Sequence, residues 1–456
     1  MRLKWLIHNA RPCTASFLSR LRHRGEIPTA TRSGLWGHDA LCPDCGTAHC
    51  MTTPCPASTP AYALHLHDSI HRVGADAWDA LLALQPHPTP FLRHAYLCAL
   101  EDSGSATPAR GWTPVVFTLW AGTDLQAACI VYAKAHSYGE YVFDWAWADA
   151  YARHGLAYYP KAVAAVPFTP VPGTRLMACD DAARDALLRA VLDWAEQAGL
   201  SSLHLLFGAQ QDLAAAHQAG MLLRSTVQFH WHNRRPMDGA RFADFEDFLA
   251  SLNQDKRKKI RQERRRVAQA GVCFRVLRGT QITTADWDFF YRCYERTYLE
   301  HGNPPYLTRA FFHAMQQHMP EAWVLFVAER AGRPIATSLI AVGAYPNCVN
   351  TPNDMQSVAY GRYWGALERV DCLHFEACYY QPIEWCIAQG VHRFEGGAQG
   401  EHKMARALLP VRAQSAHWLA HPAFAEAVDR FLAREGEGVE QYLEDLHARN
   451  PFRQAG

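Results

Sequence analysis

Apolar positions along this chain switch repeatedly between a helical and a strand period. Through residues 76–84 and 91–101 they recur at three and four, which predicts two helices. Residues 114–120 and 125–133 read as a strand pair joined by a turn around Gly122-Thr123-Asp124. A helix over 181–198 carries Leu187, Leu188, Val191, Leu192 and Ala195 on one stripe, and the apolar run 203–207 predicts a short buried strand. The same grammar then returns. A helix is expected over 244–270, a strand over 272–277, helices near 285–300 and 308–318, and strands over 323–329 and 334–342. A polar loop over 343–357, with Pro346, Asn347, Asn350, Pro352 and Asn353, leads to a strand over 358–364 and a long helix over 373–389. Strand 391–395, a glycine loop, a short helix, strand 413–419 and a last helix after Pro422 complete the pattern. Strands alternating with helices predict an α/β fold. The pattern breaks near 232–243, which divides the body into 61–235 and 236–456 with no internal sequence repeat.

Residues 1–60 lack periodicity and are rich in Arg, Thr, Pro, Gly and Cys, so an irregular, disordered segment is expected there. Met51 is a second candidate start of translation. Cys42, Cys45, Cys50 and Cys55 have the spacing C-x2-C-x4-C-x4-C, close to a zinc knuckle, but a second ligand pair across a longer loop is lacking. With 49% hydrophobic and 20% charged residues the chain can build real cores. Net charge is only +1, so a charged partner must be read from a local cluster. Nine cysteines from Cys98 to Cys386 are scattered, mostly in apolar runs, as small buried hydrophobes of a reducing compartment are. No apolar run reaches the roughly 18 residues of a membrane span, and the basic start carries too short an apolar run for a secretory signal. A cytoplasmic protein is expected.

The densest charge lies at 256–266, where eight of eleven residues are basic and Glu263 is the one acid. Phe245, Phe248, Leu249, Leu252, Ile260 and Val267 run through it as an apolar stripe, so a helix can bury one side and present Lys and Arg on the others. Like charges at i,i+4, such as Arg257 and Arg261, repel, and a bound anion would relieve them. Lys256, Lys259, Arg261 and Arg264 are the candidate contacts to a phosphate-bearing ligand. The alternative is a solvated helix face.

Phe394-Glu395-Gly396-Gly397-Ala398-Gln399-Gly400-Glu401-His402-Lys403 follows a strand and precedes a helix. Gly396 and Gly397 would let the backbone approach a ligand, with Gln399 and Lys403 as further contacts. Glu395, Glu401 and His402 are candidate proton-transfer groups; a tight turn with surface charges is the plain alternative. In Tyr360-Gly361-Arg362-Tyr363-Trp364-Gly365, strand alternation puts Tyr360, Arg362 and Trp364 on one face, and His374 and Glu376 near a helix start are placed to face a cleft. Finally 136–147, Tyr158-Tyr159-Pro160-Lys161 and Pro167-Phe168-Thr169-Pro170 are dense in aromatics and prolines, fit for a substrate groove or an interdomain contact. No phosphate-loop, dinucleotide-binding, zincin or hydrolase-elbow motif occurs.

These segments, from His136 through Ala148, Pro167 through Val171, Lys256 through Arg261, Tyr360 through Gly365 and Glu395 through Lys403, resemble the FemAB-like proteins of the GNAT acyltransferase superfamily over about 66–453. These are largely uncharacterised bacterial proteins, often labelled peptidoglycan-related. The loop at 343–357 is longer than that family usually has. The resemblance implies tandem GNAT-like α/β domains, each a mixed sheet flanked by helices. Fem-type relatives move an aminoacyl group from aminoacyl-tRNA to a peptidoglycan precursor amine, and other GNAT proteins move an acyl group from acyl-CoA to an amine. The acetyl-CoA pyrophosphate motif, Arg-x-x-Gly-x-Gly or -Ala, is missing before helix 373–389. The expectation is an N-acyl or aminoacyl transferase without a tightly bound cofactor or metal. Its donor would be acyl-CoA or aminoacyl-tRNA, and Glu395, Glu401 and His402 would serve as base or orienting groups. The rival is a catalytically silent module that binds a phosphate-bearing molecule.

Overall fold

The computed structural model describes residues 62–346, 355–398 and 400–453. The N-terminal segment with Cys42, Cys45, Cys50 and Cys55, the loop residues 347–354, and Gln399 lie outside them. The described chain begins β1 (Ala63–His67), α1 (Ala75–Ala83), α2 (His94–Asp102), β2 (Trp112–Ala121), β3 (Asp124–Lys134) and α3 (Trp145–Arg153). There follow β4 (Lys161–Ala164), β5 (Met177–Ala178), α4 (Asp181–Gln197), β6 (Ser202–Leu205), α5 (Gln210–Gln218) and β7 (Leu222–His232). Then come α6 (Phe245–Ser251), α7 (Gln254–Gln269), β8 (Val272–Arg278), α8 (Thr284–Glu300), α9 (Arg309–His318), β9 (Trp323–Arg330), β10 (Arg333–Pro346) and β11 (Met355–Ala366). Helix α10 joins Leu373–Phe375, a π-turn at Glu376–Tyr380 and Gln381–Ala388; β12 (Arg393–Ala398), a 3-10 helix (Glu401–Arg406), β13 (Leu409–Leu419) and α11 (Pro422–Ala448) end the chain.

The pairing repeats itself. β1, β2, β3 and β4 are antiparallel neighbours, and β6 joins β4 in parallel. β8, β9, β10 and β11 are antiparallel neighbours too, and β12 joins β11 in parallel. Two helices follow the first strand each time, and a helix links each parallel pair, as a parallel connection requires. The final strands are exchanged. β7 lies against β12, and β13 inserts between β6 and β7, so one mixed 13-stranded sheet runs through both halves. The duplication invisible in the sequence is therefore plain in the topology, and the chain is mixed α/β with helices on both sides of the sheet.

One core holds α1 and α2 against α8 and α9, through Trp78, Tyr96, Trp287, Phe311 and Phe312. A second covers the opposite face under α6, α7 and α10, and a third lies under α4. The stripe read from Phe245 to Ile260 is buried as expected, but the helix expected over 244–270 is two. Leu252 is extended (ψ 156°) and buried, and Asn253 caps α7 by accepting from the Lys256 N–H. Other expectations need correction. Residues 343–346 and 355–357 continue the hairpin rather than forming a loop. The strand expected at 203–207 ends at Leu205. Gly396 and Gly397 lie within β12, where its pairing with β7 shifts register, not in a loop after it. Cys179 and Cys273 are exposed, while Cys129, Cys293 and Cys386 are buried.

Candidate functional site

Helix α7 is held to the body by one side only. Ile260 and Val267 bury, and so does Glu263, whose carboxylate accepts two bonds from Arg406 at 2.8 and 3.0 Å and one from the Tyr380 hydroxyl. This acid stands on the apolar stripe, three after Ile260, and that spacing was the available signal for a buried ion pair. Arg264 reaches Glu376 at 3.1 Å and Glu384 at 2.6 Å and covers the Phe245 ring, and Arg261 pairs with Glu246. These two candidate phosphate contacts are thus already neutralised. Lys256, Arg257, Lys258, Lys259, Arg265 and Arg266 have no acidic partner among the described residues, and the last four are exposed. They extend over about 15 Å of helix. A cavity of about 370 Å³ opens beside them, lined by Arg264, Arg265, Val267, Phe274, Glu376 and Gln381.

The Glu263–Arg406 pair fixes the 3-10 helix against α7. Arg406 lies 3.6 Å over the Phe375 ring and donates to the His402 carbonyl at 2.7 Å. His402 is exposed, and its Nε2 stands 3.0 Å from the Tyr379 hydroxyl. Tyr379 is on the π-turn, a helical irregularity common at functional sites. Desolvation, then Arg406 and Lys403, hold the His402 imidazole below its ordinary pKa, so it is neutral at pH 7. Its neighbour His374, half-buried against it, is pushed down to about 4, mainly by burial. Lys403 is buried, donates to the Gly397 carbonyl at 3.0 Å, and is pushed down to about 8 by burial. So the basic helix and the His402–Lys403 segment, 140 residues apart in the chain, form one locus.

Other candidates lie elsewhere. Glu395 points to the opposite sheet face from its neighbour Phe394. There it is buried, paired with Arg393 at 2.8 Å, and its carboxyl is raised by burial, which Arg393 opposes. Glu401 turns outward to Tyr442 and Arg449, both at 3.1 Å. The helix after Gly400 has six 3-10 residues, too short to gather anions at its start. Gly396 packs under Leu408, and Gly397 sits at φ +78°. Tyr360 is buried edge-on against Phe91. Tyr360 and Arg362 share a face against Phe91 as expected, but Trp364 lies with another core, because the β10–β11 register shifts at Arg362, pairing Leu339 with Tyr363 and Ile340 with Gly361. That extra residue breaks the alternation and puts Tyr360 and Tyr363 into the same core.

The aromatic segment at 136–147 makes a second polar centre, which the sequence flagged without its roles. Lys161 donates to Ser137 at 2.8 Å, to Glu140 at 2.7 Å and to Asp144, all buried. Tyr158 bonds Asp144 at 2.6 Å and stands 3.2 Å from His204, and His204 and His417 face each other through Nδ1 atoms 2.7 Å apart. With Lys134 over the Trp112 ring, two lysines balance two carboxylates, which marks a structural network. Among the described residues no cluster of His, Cys, Asp or Glu is placed to hold a metal, and no helix is long and apolar enough to cross a membrane.

The FemAB_like family model, described as peptidoglycan biosynthesis/recognition, matches residues 69–454. No curated protein matches. Among solved structures, that of FemX shares 8% identity, over 78% of this chain and 98% of its own, at TM-score 0.48. The C-terminal domain of a lysylphosphatidylglycerol synthetase-type protein from Agrobacterium fabrum shares 11%, over 79% and 95%, at 0.44. A tandem GNAT protein of the clavulanic acid pathway shares 11%, over 79% and 99%, at 0.39.

Proposed function

We propose that this chain, which belongs to the FemAB_like family, transfers an acyl or aminoacyl group from a phosphate-bearing donor to an amine at the locus formed by α7, the π-turn and the 3-10 helix. The observation that carries the reading is the neutral, exposed His402 beside Tyr379, anchored through Arg406 and Glu263 to a helix bearing six cations without acidic partners. An ammonium acceptor must lose a proton to attack a carbonyl, and His402 can take it. The cations of α7 would hold the phosphates of acyl-CoA or aminoacyl-tRNA. A peptidoglycan precursor amine is the acceptor that fits the family's description. Mass spectrometry after incubation with each donor and a precursor should show the acceptor gain the acyl mass. His402→Ala should lower turnover about 10²-fold or more while the fold persists, because the side chain is exposed. The reversal Lys259→Glu/Arg265→Glu should weaken donor binding with nearly unchanged stability. Unaltered turnover in His402→Ala removes the base.

The dispersal of Glu395, Glu401 and His402 over both sheet faces favours a second reading, a binding module without turnover. Saturable binding of the precursor with no product from either donor would establish it.

A further inference from the structure

We infer that Arg362 anchors the carboxylate of a ligand at a tyrosine-lined site between the two halves of the sheet. Its Nη2 donates to the Phe168 carbonyl at 2.8 Å, Thr169 Oγ1 at 3.2 Å and the Tyr363 hydroxyl at 3.3 Å. Two hydrogens thus serve three neutral acceptors. Among the described residues neither Nε, which is shut off from solvent, nor Nη1 has an acceptor. Among the described residues no acid stands within ion-pair reach there; the groups around the charge include Tyr363, Tyr96 and Tyr141, with the Phe91 ring 5.1 Å away. Arg264, Arg393 and Arg406 each have a carboxylate, and buried Arg175 has three backbone carbonyls shared among its guanidinium nitrogens. A guanidinium withdrawn from water without a counter-charge is costly, and an incoming anion removes that cost.

The walls come from both halves. Tyr141, held at φ 63°, and Phe168 belong to the first, and Tyr294, Tyr298 and Tyr306 to the second. Phe168 and Tyr306 stack at 4.8 Å, and Tyr298 meets Tyr306 at 5.5 Å. A non-glycine residue in the left-handed region at such a place is strain of the kind that collects at ligand sites. Tyr138, beside Tyr306, is 44% exposed and opens the cluster to solvent. The chemistry selects a carboxylate. One unit charge is on offer at the guanidinium and its neutral neighbours are hydroxyl donors, which matches a carboxylate monoanion. The bulge brings Tyr363 onto the face that Arg362 shares with Tyr360, beside the guanidinium.

The inference does not depend on the transfer reading, since binding alone tests it. Calorimetry at pH 7 compares N-acetyl-dialanine with its C-terminal amide on the full chain. The free acid should bind, and the amide should bind about tenfold more weakly, because only the acid pairs with the guanidinium. Arg362→Gln should lose the acid by a similar factor. Because Arg362 also ties β11 to the 168–169 loop, Arg362→Lys, which keeps the charge but lacks Nε and Nη1, is measured alongside and should also bind more weakly. Equal binding of acid and amide, no binding of the acid up to roughly 10 mM, or unweakened binding by whichever variants fold would overturn the site.

Discussion

Replacing Glu263 by Leu should be among the most damaging single changes on the basic helix, although it removes the one negative charge from a run of eight positive ones. The side chains of Glu263 and Arg406 are 8% and 2% exposed. Loss of the carboxylate removes both acceptors of Arg406 Nη2 and the partner of the Tyr380 hydroxyl. Arg406 would keep only the His402 carbonyl, and its Nε is already without an acceptor. A buried charge left without its partner costs about 3–5 kcal/mol. The double change Glu263→Leu/Arg406→Met removes both charges at similar volume and should recover to within about 1 kcal/mol of the original, since hydrophobic replacement of a whole pair is often neutral. Urea titration followed by circular dichroism gives each midpoint, and an unchanged slope shows that the same surface unfolds. Helix α7 carries six unpaired cations whatever stands at 263, so surface repulsion predicts a smaller effect of the single change and no rescue. A loss below about 1 kcal/mol, or a double variant no better than the single, would show that burial does not govern this contact.

Acid should loosen the junction of β6 and β13. Burial holds both His204 and His417 below the ordinary histidine pKa, His417 at about 3, with Lys161 and Arg224 adding to it. The unfolded chain takes up protons below about pH 6.5 that the fold refuses, so stability should fall as pH drops from there toward 3, by as much as about 1.4 kcal/mol per unit for each imidazole. His417→Gln should flatten that slope in urea midpoints taken between pH 7 and 5; an identical slope refutes the assignment. Gly365→Ala should cost about 3 kcal/mol or more, because a Cβ would lie 1.9 Å from the Cys293 carbonyl oxygen in the backbone of α8. Gly396→Ala, whose Cβ would meet Leu408 at 2.4 Å, should cost about 1–3 kcal/mol. Gly397→Ala has room and should cost only the left-handed backbone, about 1–2 kcal/mol. Thermal midpoints in the reverse order would contradict this ranking.

Local pattern carried the elements that bury a single stripe. The helix at Asp181–Gln197 and the hairpin at Trp112–Lys134 lie within a residue or two of their expected places because periodicity alone decides them. Leu222–His232 escaped notice, since Arg224, Ser225, Thr226 and Gln228 dilute its apolar signal; it is a strand because β12 and β13 clasp it from both sides. The candidate site divides the same way. His402 and the cations of α7 were legible as chemistry, but the Glu263–Arg406 contact that joins them closes over 140 residues. Alternation puts Arg362 beside Tyr360, as the structure has it, but not Trp364. The tyrosine beside Arg362, Tyr363, reaches that face through a register shift that depends on the partner strand. Lys161 reads as an ordinary charge beside a proline, and only the packing of Glu140 and Asp144 around it reveals the network.

The exchange of β7 and β13 sets a timetable for the molecule's birth. β6 and β7 leave the ribosome early, but the strand that belongs between them follows roughly 180 residues later. At about 5–20 residues per second that is a wait of roughly 10–35 s. Throughout it β6 is an open edge of the first half's sheet and β7 has no strand beside it, with Leu203, Leu205 and Phe229 close by, so both can pair with any strand that comes near. A ribosome stalled before Leu409 would therefore hold a first half that is fully synthesised and still unfinished, and chaperones should be found on such nascent chains.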